Sequence, residues 1–343
     1  MPFSIVCNDI TQMNVDAIVN AANTDLAMGS GVCGAIFKAA GAQELQAACM
    51  PLAPIKTGDA VITPGFALGA KYVIHTAGPV YRRHTPEESE ALLQAAYINS
   101  MYRAIENECE SIAFPLISSG IYGYPKDEAL RVATAAIRDF IAEHDISVSL
   151  VIFDKAAFSI SQELLGAVES YIDEHYVERY RTSRRESHYV DQQAPKEALQ
   201  TDAFVNLSMP LMQMAEKSAA PMQLEDIVGK LDEPFSATLF RLIDKSGKND
   251  VDVYKRANID RRLFSKIRSN PHYAPSKPTV LAFAVALELT LKQTVDLLNR
   301  AGFALSHSRK FDVIVEYFIA NGKYDVFEIN EVLFSYDQAL LGE

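Results

Sequence analysis

The chain has few of the residues and patterns that mark secreted, metal-binding or membrane proteins. It contains four cysteines among 343 residues, Cys7, Cys33, Cys49 and Cys109, and no two of them form a C-x-x-C pair. This spacing argues against a zinc site and a disulfide framework, so we expect a reducing, cytoplasmic location and no bound metal. No segment approaches the roughly 18 to 20 apolar residues of a membrane span, and the first residues lack a signal-peptide pattern. We therefore expect no membrane partner.

Positive charge is also scarce in one part of the chain. Residues 1–178 hold 10 Lys and Arg against 22 Asp and Glu, whereas residues 225–343 hold 16 and 17. An anionic ligand in the first part must therefore be held by local backbone dipoles and not by overall charge. The length exceeds one ordinary domain. We predict a first domain at 1–178, a linker at 179–224 and an all-helical domain at 225–343.

Lysine is missing from the glycine-rich loop around which the first domain is organised. Gly29, Gly31 and Gly34 follow a short apolar strand at 17–19 and precede a helix. Free backbone N–H groups and the helix dipole favour an anion there, phosphate above all. Because no lysine follows the last glycine, the loop is not a Walker A motif. The remaining alternative is a glycine-rich turn that binds nothing.

The spacing of these glycines matches the G-x-G-x-x-G fingerprint of dinucleotide-binding folds, but the sequence on either side does not. Nine residues separate Val19 from Gly29, and Pro51 and Leu52 stand where a ribose-binding acid would be. A Rossmann fold follows its first strand with the glycine turn at once and carries that acid. The pattern therefore disfavours a nicotinamide-dependent oxidoreductase.

Strand and helix signals alternate through the first domain. Strands are predicted at 3–7, 17–19, 60–63, 72–75, 111–117 and 147–153, and helices at 35–49, 86–107, 126–143 and 159–176. This alternation predicts a layered α/β domain with a mostly parallel sheet. A second small-residue loop at 118–125 also leaves a strand and enters a helix. Since ligands of such sheets lie at the carboxyl ends of the strands, the two loops could enclose an extended diphosphate.

A third strand end carries an acid. Asp9 follows the first strand and precedes Ile10 and Thr11. Its carboxylate either folds back on its own backbone as an Asx-turn or accepts a hydrogen bond from a ligand amine. The sequence leaves both alternatives open.

Five motifs in this order resemble a macrodomain of the MacroD-like branch. They lie at 8–11, 15–23, 29–34, 74–79 and 118–125, within about residues 1–176. Macrodomains are ADP-ribose-binding modules, so the resemblance implies a three-layer α/β fold with ADP-ribose as ligand or product and no cofactor.

The resemblance also implies roles for individual residues. Asp9 would take the adenine amino group with help from the Ile10 backbone, and Asn23 would contact the distal ribose. Phe153 would stack on the adenine, although an ordinary place in the strand core is equally open. The two loops would hold the diphosphate through Gly29, Ser30, Gly31, Val32, Gly34, Ser118, Ser119, Gly120, Ile121, Tyr122 and Gly123.

The chain departs from the family pattern at one position. MacroD-like hydrolases place an Asp after the valine of the glycine loop, and here that residue is Cys33. A thiol at a helix N-terminus could serve as a thiolate, or Cys33 could be a small residue that fills the loop. Asn23 and Cys33 are thus the catalytic candidates. His75 fits a core histidine better than a general base, and Tyr122 could cap the ribose or shield the site from water.

The second domain resembles a phage-repressor-like (XRE-type) helix-turn-helix over about residues 235–301. Short helices are predicted at 235–245, 251–257, 260–269, 279–289 and 291–301, with one or two more at 311–334. In the third helix Phe264 and Ile267 point inward. The outward residues, which could contact DNA, are Arg261, Arg262, Ser265, Lys266 and Arg268. The alternative is a solvated face of a bundle that binds protein or dimerises.

Two functions follow from these expectations. The first is an enzyme that hydrolyses ADP-ribosyl linkages, in mono-ADP-ribosylated protein or O-acetyl-ADP-ribose. The second is an ADP-ribose sensor without turnover, coupled to a DNA- or protein-binding helical domain. The cysteine at position 33 favours the second without deciding between them.

Overall fold

A computed structural model of the chain describes residues 2–153, 168, 171 and 233–342. The predicted linker at 179–224 and all but two residues of the predicted helix at 159–176 lie outside the described residues. We refer to residues 2–153 as the α/β region and to residues 233–342 as the helical region. Within the described ranges, no helix has both the length and the apolar composition required to cross a membrane.

The α/β region is built on one six-stranded sheet. Its strands are β1 (Phe3–Cys7), β2 (Ala17–Ala22), β3 (Ala60–Pro64), β4 (Tyr72–Ala77), β5 (Ser111–Pro115) and β6 (Ser147–Ile152). Their spatial order is β1-β6-β5-β2-β4-β3. Only the β3–β4 pair is antiparallel among these strands. The prediction of a mostly parallel sheet is therefore confirmed.

Helices cover both faces of the sheet. Successive strand residues point to opposite faces, so Ile18 and Val73 pack against α1 (Gly31–Ala40) and α2 (Ala42–Cys49). Their neighbours Val19 and Ile74 pack on the other face, against α3 (Pro86–Glu106) and α4 (Lys126–Glu143). Near-continuous apolar strands are the sequence signature of such doubly covered sheets. The predicted three-layer architecture is confirmed.

Several predicted boundaries are wrong in detail, and the first helix begins at Gly31 instead of residue 35. The first helix is not continuous, because Gly41 adopts a φ of 101° that breaks it into α1 and α2. The fifth strand ends at Pro115, which has no N–H with which to extend the ladder. The sixth ends at Ile152, one residue before Phe153.

The helical region contains seven described helices. They are α5 (Phe235–Ser246), α6 (Asp250–Arg256), α7 (Arg261–Ser269), α8 (Lys277–Ala286), α9 (Leu291–Arg300), α10 (Lys310–Ala320) and α11 (Val326–Ser335). Asp260 caps α7 as predicted, since its carboxylate accepts the N–H of Arg262. Phe264 and Ile267 are buried in the core of this region, also as predicted.

The two regions contact each other at the end of the sheet where most of the parallel strands begin. Strand β1 is an edge strand, and the side-chain amide of Asn258 bonds both its Phe3 N–H and its Phe3 carbonyl. Phe327 of α11 packs against the Phe3 ring at 5.9 Å. An edge strand that would otherwise expose unpaired backbone groups is thus covered by the helical region.

The predicted boundary at residue 178 stays a prediction. Val168 and Tyr171 are helical and fall on the first-domain side of it. Both nevertheless pack with the core of the helical region, where the Tyr171 ring lies 5.1 Å from the Tyr317 ring.

Candidate functional site

The parallel strands end at one edge of the sheet, and both small-residue loops leave from that edge. The first loop runs from the end of β2 to α1, and the second runs from the end of β5 to α4. Strands β2 and β5 are neighbours. The sheet therefore places the two loops side by side.

The first loop is held in shape by its own side chains and glycines. The Asn23 amide donates to the Ala27 carbonyl (2.9 Å) and accepts the Ala27 N–H (3.1 Å). Gly31 has a φ of 61°. A Cβ on Gly34 would lie 2.7 Å from the Gly29 carbonyl oxygen, closer than real side chains come. Glycine at position 34 thus allows α1 to start directly beneath the loop.

The N-terminus of α1 faces this loop with free donors. Its N-cap residue Ser30 forms no side-chain capping bond. In the described part of the chain, no hydrogen bond occupies the N–H groups of Gly31, Val32 and Cys33. The positive end of the helix dipole and unpaired N–H groups together favour an anion.

The second loop brings a buried polar atom without a partner. Ser118 has a φ of 63° and is only 7% exposed, yet its hydroxyl bonds no described residue. The loop is closed by backbone bonds from Tyr124 N–H to the Ser118 carbonyl and from Gly123 N–H to the Gly120 carbonyl, both 3.0 Å. These bonds hold the second loop in a tight turn at the end of β5.

A cleft of about 460 Å³ lies between the two loops. Its size falls within the range of ligand pockets, ~300–1,000 Å³. Predicted residues that line it are Asn23, Gly29, Ser30, Gly31, Val32, Cys33, Ser118, Ser119, Gly120, Ile121 and Tyr122. Gly34 and Gly123 do not line the cleft but shape the loops behind it. The structure thus brings most of the predicted diphosphate site together.

The predicted adenine residues lie at the neighbouring strand ends, outside the lining of the cleft. Asp9 follows β1 and Phe153 follows β6, and these two strands are paired. Phe153 is 79% exposed, which excludes the strand-core alternative. Ile10 packs in one apolar cluster with Cys33 of α1, so this corner adjoins the cleft.

The two carboxylate oxygens of Asp9 allow both predicted roles, the Asx-turn and a bond to a ligand amine. Its Oδ1 accepts the N–H (2.9 Å) and the hydroxyl (2.8 Å) of Thr11, which is an Asx-turn. In the described part of the chain, its second oxygen has no hydrogen-bond partner. One carboxylate can therefore hold the turn and still accept a bond from a ligand amine.

Comparisons with known proteins show the family of the α/β region. The family model described as Macro domain matches residues 19–133. An O-acetyl-ADP-ribose deacetylase of Salmonella typhimurium is 45% identical over 166 residues, covering 47% of this chain and 92% of that protein. The chain belongs to the macrodomain family.

Two further relatives match the same macrodomain segment. An ADP-ribose glycohydrolase, MACROD2 of Xenopus laevis, is 48% identical over 145 residues and covers 42% of this chain. The match spans only 34% of that relative's length. A solved macrodomain of Oceanobacillus iheyensis with MES bound is 40% identical, with a TM-score of 0.44, and covers 48% of this chain and 91% of its own.

Cys33 is part of the macrodomain cleft wall and of the loop packing. Its sulfur accepts the Gly29 N–H at 3.3 Å, and the side chain is buried in the cluster with Ile36 and Phe37. This bond ties the glycine loop to the first turn of α1. The geometry matches the expectation of a small loop-filling residue, and it leaves the thiol facing the cleft.

Tyr122 stands at the opposite rim of the macrodomain cleft. Burial is the main cause that raises the pKa of its phenol, and the Cys33 thiol and Asp25 carboxylate add to the rise. The Arg83 guanidinium acts against them. These groups therefore lie close enough to the Tyr122 phenol to influence its charge.

His75 is a core histidine, as predicted. It is fully buried, with Nε2 at 2.9 Å from the Thr63 hydroxyl and Nδ1 at 3.0 Å from the Asn20 amide. Burial lowers its pKa to about 4, so the ring is neutral at neutral pH and has no access to a ligand. In the described ranges, no three His, Cys, Asp or Glu side chains converge to bind a metal.

The predicted DNA-contact residues do lie on the outer face of α7, but most of them are engaged. Arg262 forms an ion pair with Glu110 of the macrodomain at 2.7 Å, and Arg261 approaches Asp145 at 3.8 Å. Glu110 directly precedes β5 and Asp145 lies two residues before β6, at the contact between the two regions.

The rest of the basic face bonds within the helical region. Lys266 lies 5.1 Å over the Tyr273 ring, and Arg268 lies 4.7 Å over the Phe240 ring. Arg268 also pairs with Asp250, and Ser265 is exposed. The face predicted to be open is therefore partly covered.

Sequence reasoning missed three contributors to this arrangement. Gly78 lines the cleft. Glycine is required at this position because a Cβ would collide with the Ser118 hydroxyl. The turn Tyr81–Arg83 supports the second loop, and Asn258 covers the β1 edge. Gly78 falls in a motif shared with the family, whereas the other two had no local signal.

Proposed function

We propose that the macrodomain binds ADP-ribose and hydrolyses ADP-ribosyl linkages, of mono-ADP-ribosylated protein or of O-acetyl-ADP-ribose. One observation carries the proposal: the N-terminus of α1, with its free N–H groups, and residues 118–122 of the second loop line the same cleft. The activities named for the Salmonella and Xenopus relatives support it. Both loops suit a diphosphate within an acidic domain, because their donors are backbone groups.

The adenosine end would occupy the corner formed by Asp9 and Phe153. The free carboxylate oxygen of Asp9 would accept the adenine amino group, and the exposed Phe153 ring would stack on the base. The reaction itself transfers an acyl or glycosyl group to water, with no change of oxidation state. Asn23 and the loop donors would hold the distal ribose and the water in place, which is catalysis by positioning and dipoles.

Calorimetry with ADP-ribose tests the binding part. We expect saturable heat from the native protein and at least about tenfold weaker binding for Asp9→Asn, because a neutral amide accepts the adenine amino group less well. The substitution keeps an oxygen for the Thr11 turn, so folding is preserved. An absence of heat with the native protein would contradict the proposal.

A reader without turnover is the second candidate, and Cys33 is the observation that favours it. The thiol bonds the loop, and none of the described residues that line the cleft carries a carboxylate. Incubation with a protein modified on Asp or Glu separates the two candidates, since a reader leaves the label in place. We expect Cys33→Asp to increase turnover at nearly unchanged affinity for ADP-ribose. A loss of turnover in that variant would assign the thiol an active part.

For the helical region, both DNA contact and protein contact remain proposals. The ion pairs of Arg261 and Arg262 with the macrodomain favour protein contact. DNA binding through α7 would require these pairs to open. A salt-dependent shift of duplex DNA that is lost in Arg261→Glu/Arg262→Glu would support DNA contact. An absent or salt-insensitive shift would leave the protein contact.

A further inference from the structure

Exposed arginines without carboxylate partners stand beside the cleft mouth. The α/β region contains nine described Lys and Arg, and four of them form ion pairs: Lys71, Arg103, Arg131 and Arg138. Of the other five, Arg82, Arg83 and Lys126 adjoin the second loop, and none of these three has an ion pair with a described residue. In a region dominated by acids, these three cations lie together without an ion pair to any described residue.

The turn that carries the arginines is fastened to the cleft wall. The Tyr81 N–H donates to the Tyr122 carbonyl at 3.0 Å, and the Tyr81 ring packs on the Tyr124 ring at 4.7 Å. Arg83 is close enough to Tyr122 to act on its phenol. Arg82 and Arg83 therefore keep a fixed place relative to the cleft.

Lys126 adds a cation that its helix does not explain. It is the first residue of α4, where a positive charge opposes the helix dipole. It follows the second loop directly through Pro125. The acids nearest to the turn, Glu87 and Glu128, act on the Tyr81 phenol, and Glu128 is bonded to it at 3.4 Å.

We propose that Arg82, Arg83 and Lys126 bind acidic side chains of the polypeptide that carries the ADP-ribosyl group. The inference rests on the proposed function, which places the linkage near Asn23 and Tyr122. A polypeptide attached there must cross the rim of the cleft, and the cations on its Tyr122 side suit Asp- and Glu-rich flanks. Long-range attraction of this kind selects the target and adds little to the binding of free ADP-ribose.

The test compares peptides that carry ADP-ribose through a hydrolysis-resistant bond, with either Glu or Gln flanking the modified residue. We expect the native protein to bind the Glu peptide about fivefold more tightly at low salt, since each exposed pair contributes modestly. The preference should shrink as salt screens it. In Arg82→Glu/Arg83→Glu it should vanish, while free ADP-ribose binds as before.

A matched control carries the same change in net charge elsewhere. Lys38→Glu/Lys245→Glu alters two exposed lysines away from the second loop and should keep the preference. If the arginine variant also keeps it, or if an ADP-ribosylated oligonucleotide binds more tightly than the Glu peptide, the inference is wrong. If free ADP-ribose fails to bind the native protein, the proposed function fails instead.

Discussion

The two ends of the central sheet differ in where their polar groups find partners. At the carboxyl ends of the strands, the Ser118 hydroxyl and the first N–H groups of α1 have no partner among the described residues. At the opposite end, Asn258 satisfies the backbone of Phe3, and Lys255 donates to the Ala142 carbonyl at 2.7 Å. At one end the donors are free among the described residues, and at the other they are satisfied by side chains of the helical region.

The difference separates the candidate binding residues from those that hold the two regions together. Free donors at a loop-lined edge cost stability and are available to bind an anion. Ion pairs and amide bonds at the other end fix the helical region in place instead. The comparison predicts that changes at the first end alter binding and changes at the second end alter stability.

The largest expected effect concerns the buried polar cluster behind the ligand end. Because the pKa of His75 is depressed to about 4 in the folded protein, the unfolded chain binds more protons from pH 6.5 down to 4. The contribution of the neutral ring to the free energy of unfolding is fully present above pH 6.5. It decreases as the pH falls through this window, and about 3 kcal/mol is lost in total. Denaturant unfolding of native protein and His75→Gln, measured from pH 7 to 4, checks this. Parallel curves would contradict it.

The second effect tests the scaffold end. Asn258→Gly removes both bonds to Phe3 but keeps a residue that tolerates the φ of 55°. Two backbone groups lose their partners, at about 1 kcal/mol each, so the free energy of unfolding should fall by about 2 kcal/mol. Affinity for ADP-ribose should stay unchanged. In Asn258→Asp the Phe3 N–H keeps its acceptor but the carbonyl meets a carboxylate, and an undiminished stability there would contradict the assignment.

Sequence reasoning succeeded where the signal is local. The alternation of apolar strands and amphipathic helices, the glycines of the first loop and the cap at Asp260 each depend on neighbouring residues. The candidate cleft was found because both loops follow strands of a parallel sheet.

Features that join distant residues could not be predicted in this way. Asn258 and Phe3 are 255 positions apart, and Arg262 and Glu110 are 152 apart. Neither secondary-structure propensity nor hydrophobic periodicity links such residues. The sequence therefore predicted that the basic face of α7 is open to solvent. The break at Gly41 was missed because alanine-rich residues on both sides favour one helix.

The third effect separates a glycine of the ligand end from one in the turn between β3 and β4. A Cβ on Gly34 would meet the Gly29 carbonyl oxygen at 2.7 Å, whereas a Cβ on Gly69 would have no atom within 4 Å. Gly34→Ala must displace the first loop, and we expect at least about tenfold weaker binding of ADP-ribose, or about 1.4 kcal/mol. Gly69 does not line the cleft, so Gly69→Ala is the control and should bind within about twofold of native protein by calorimetry. Equal affinities of the two variants would show that the first loop does not set the site.

The smallest effect concerns the ion pair between the two regions. Arg262 and Glu110 are 74% and 62% exposed, so solvent screens their attraction and the pair contributes less than about 1 kcal/mol. Arg262→Glu should lower stability by that amount, and the swap Glu110→Arg/Arg262→Glu should restore most of it. Unfolding at low and high salt checks the assignment, because added salt should erase the difference. A loss well above 1 kcal/mol would mean that this exposed pair, and not Asn258, secures the scaffold end.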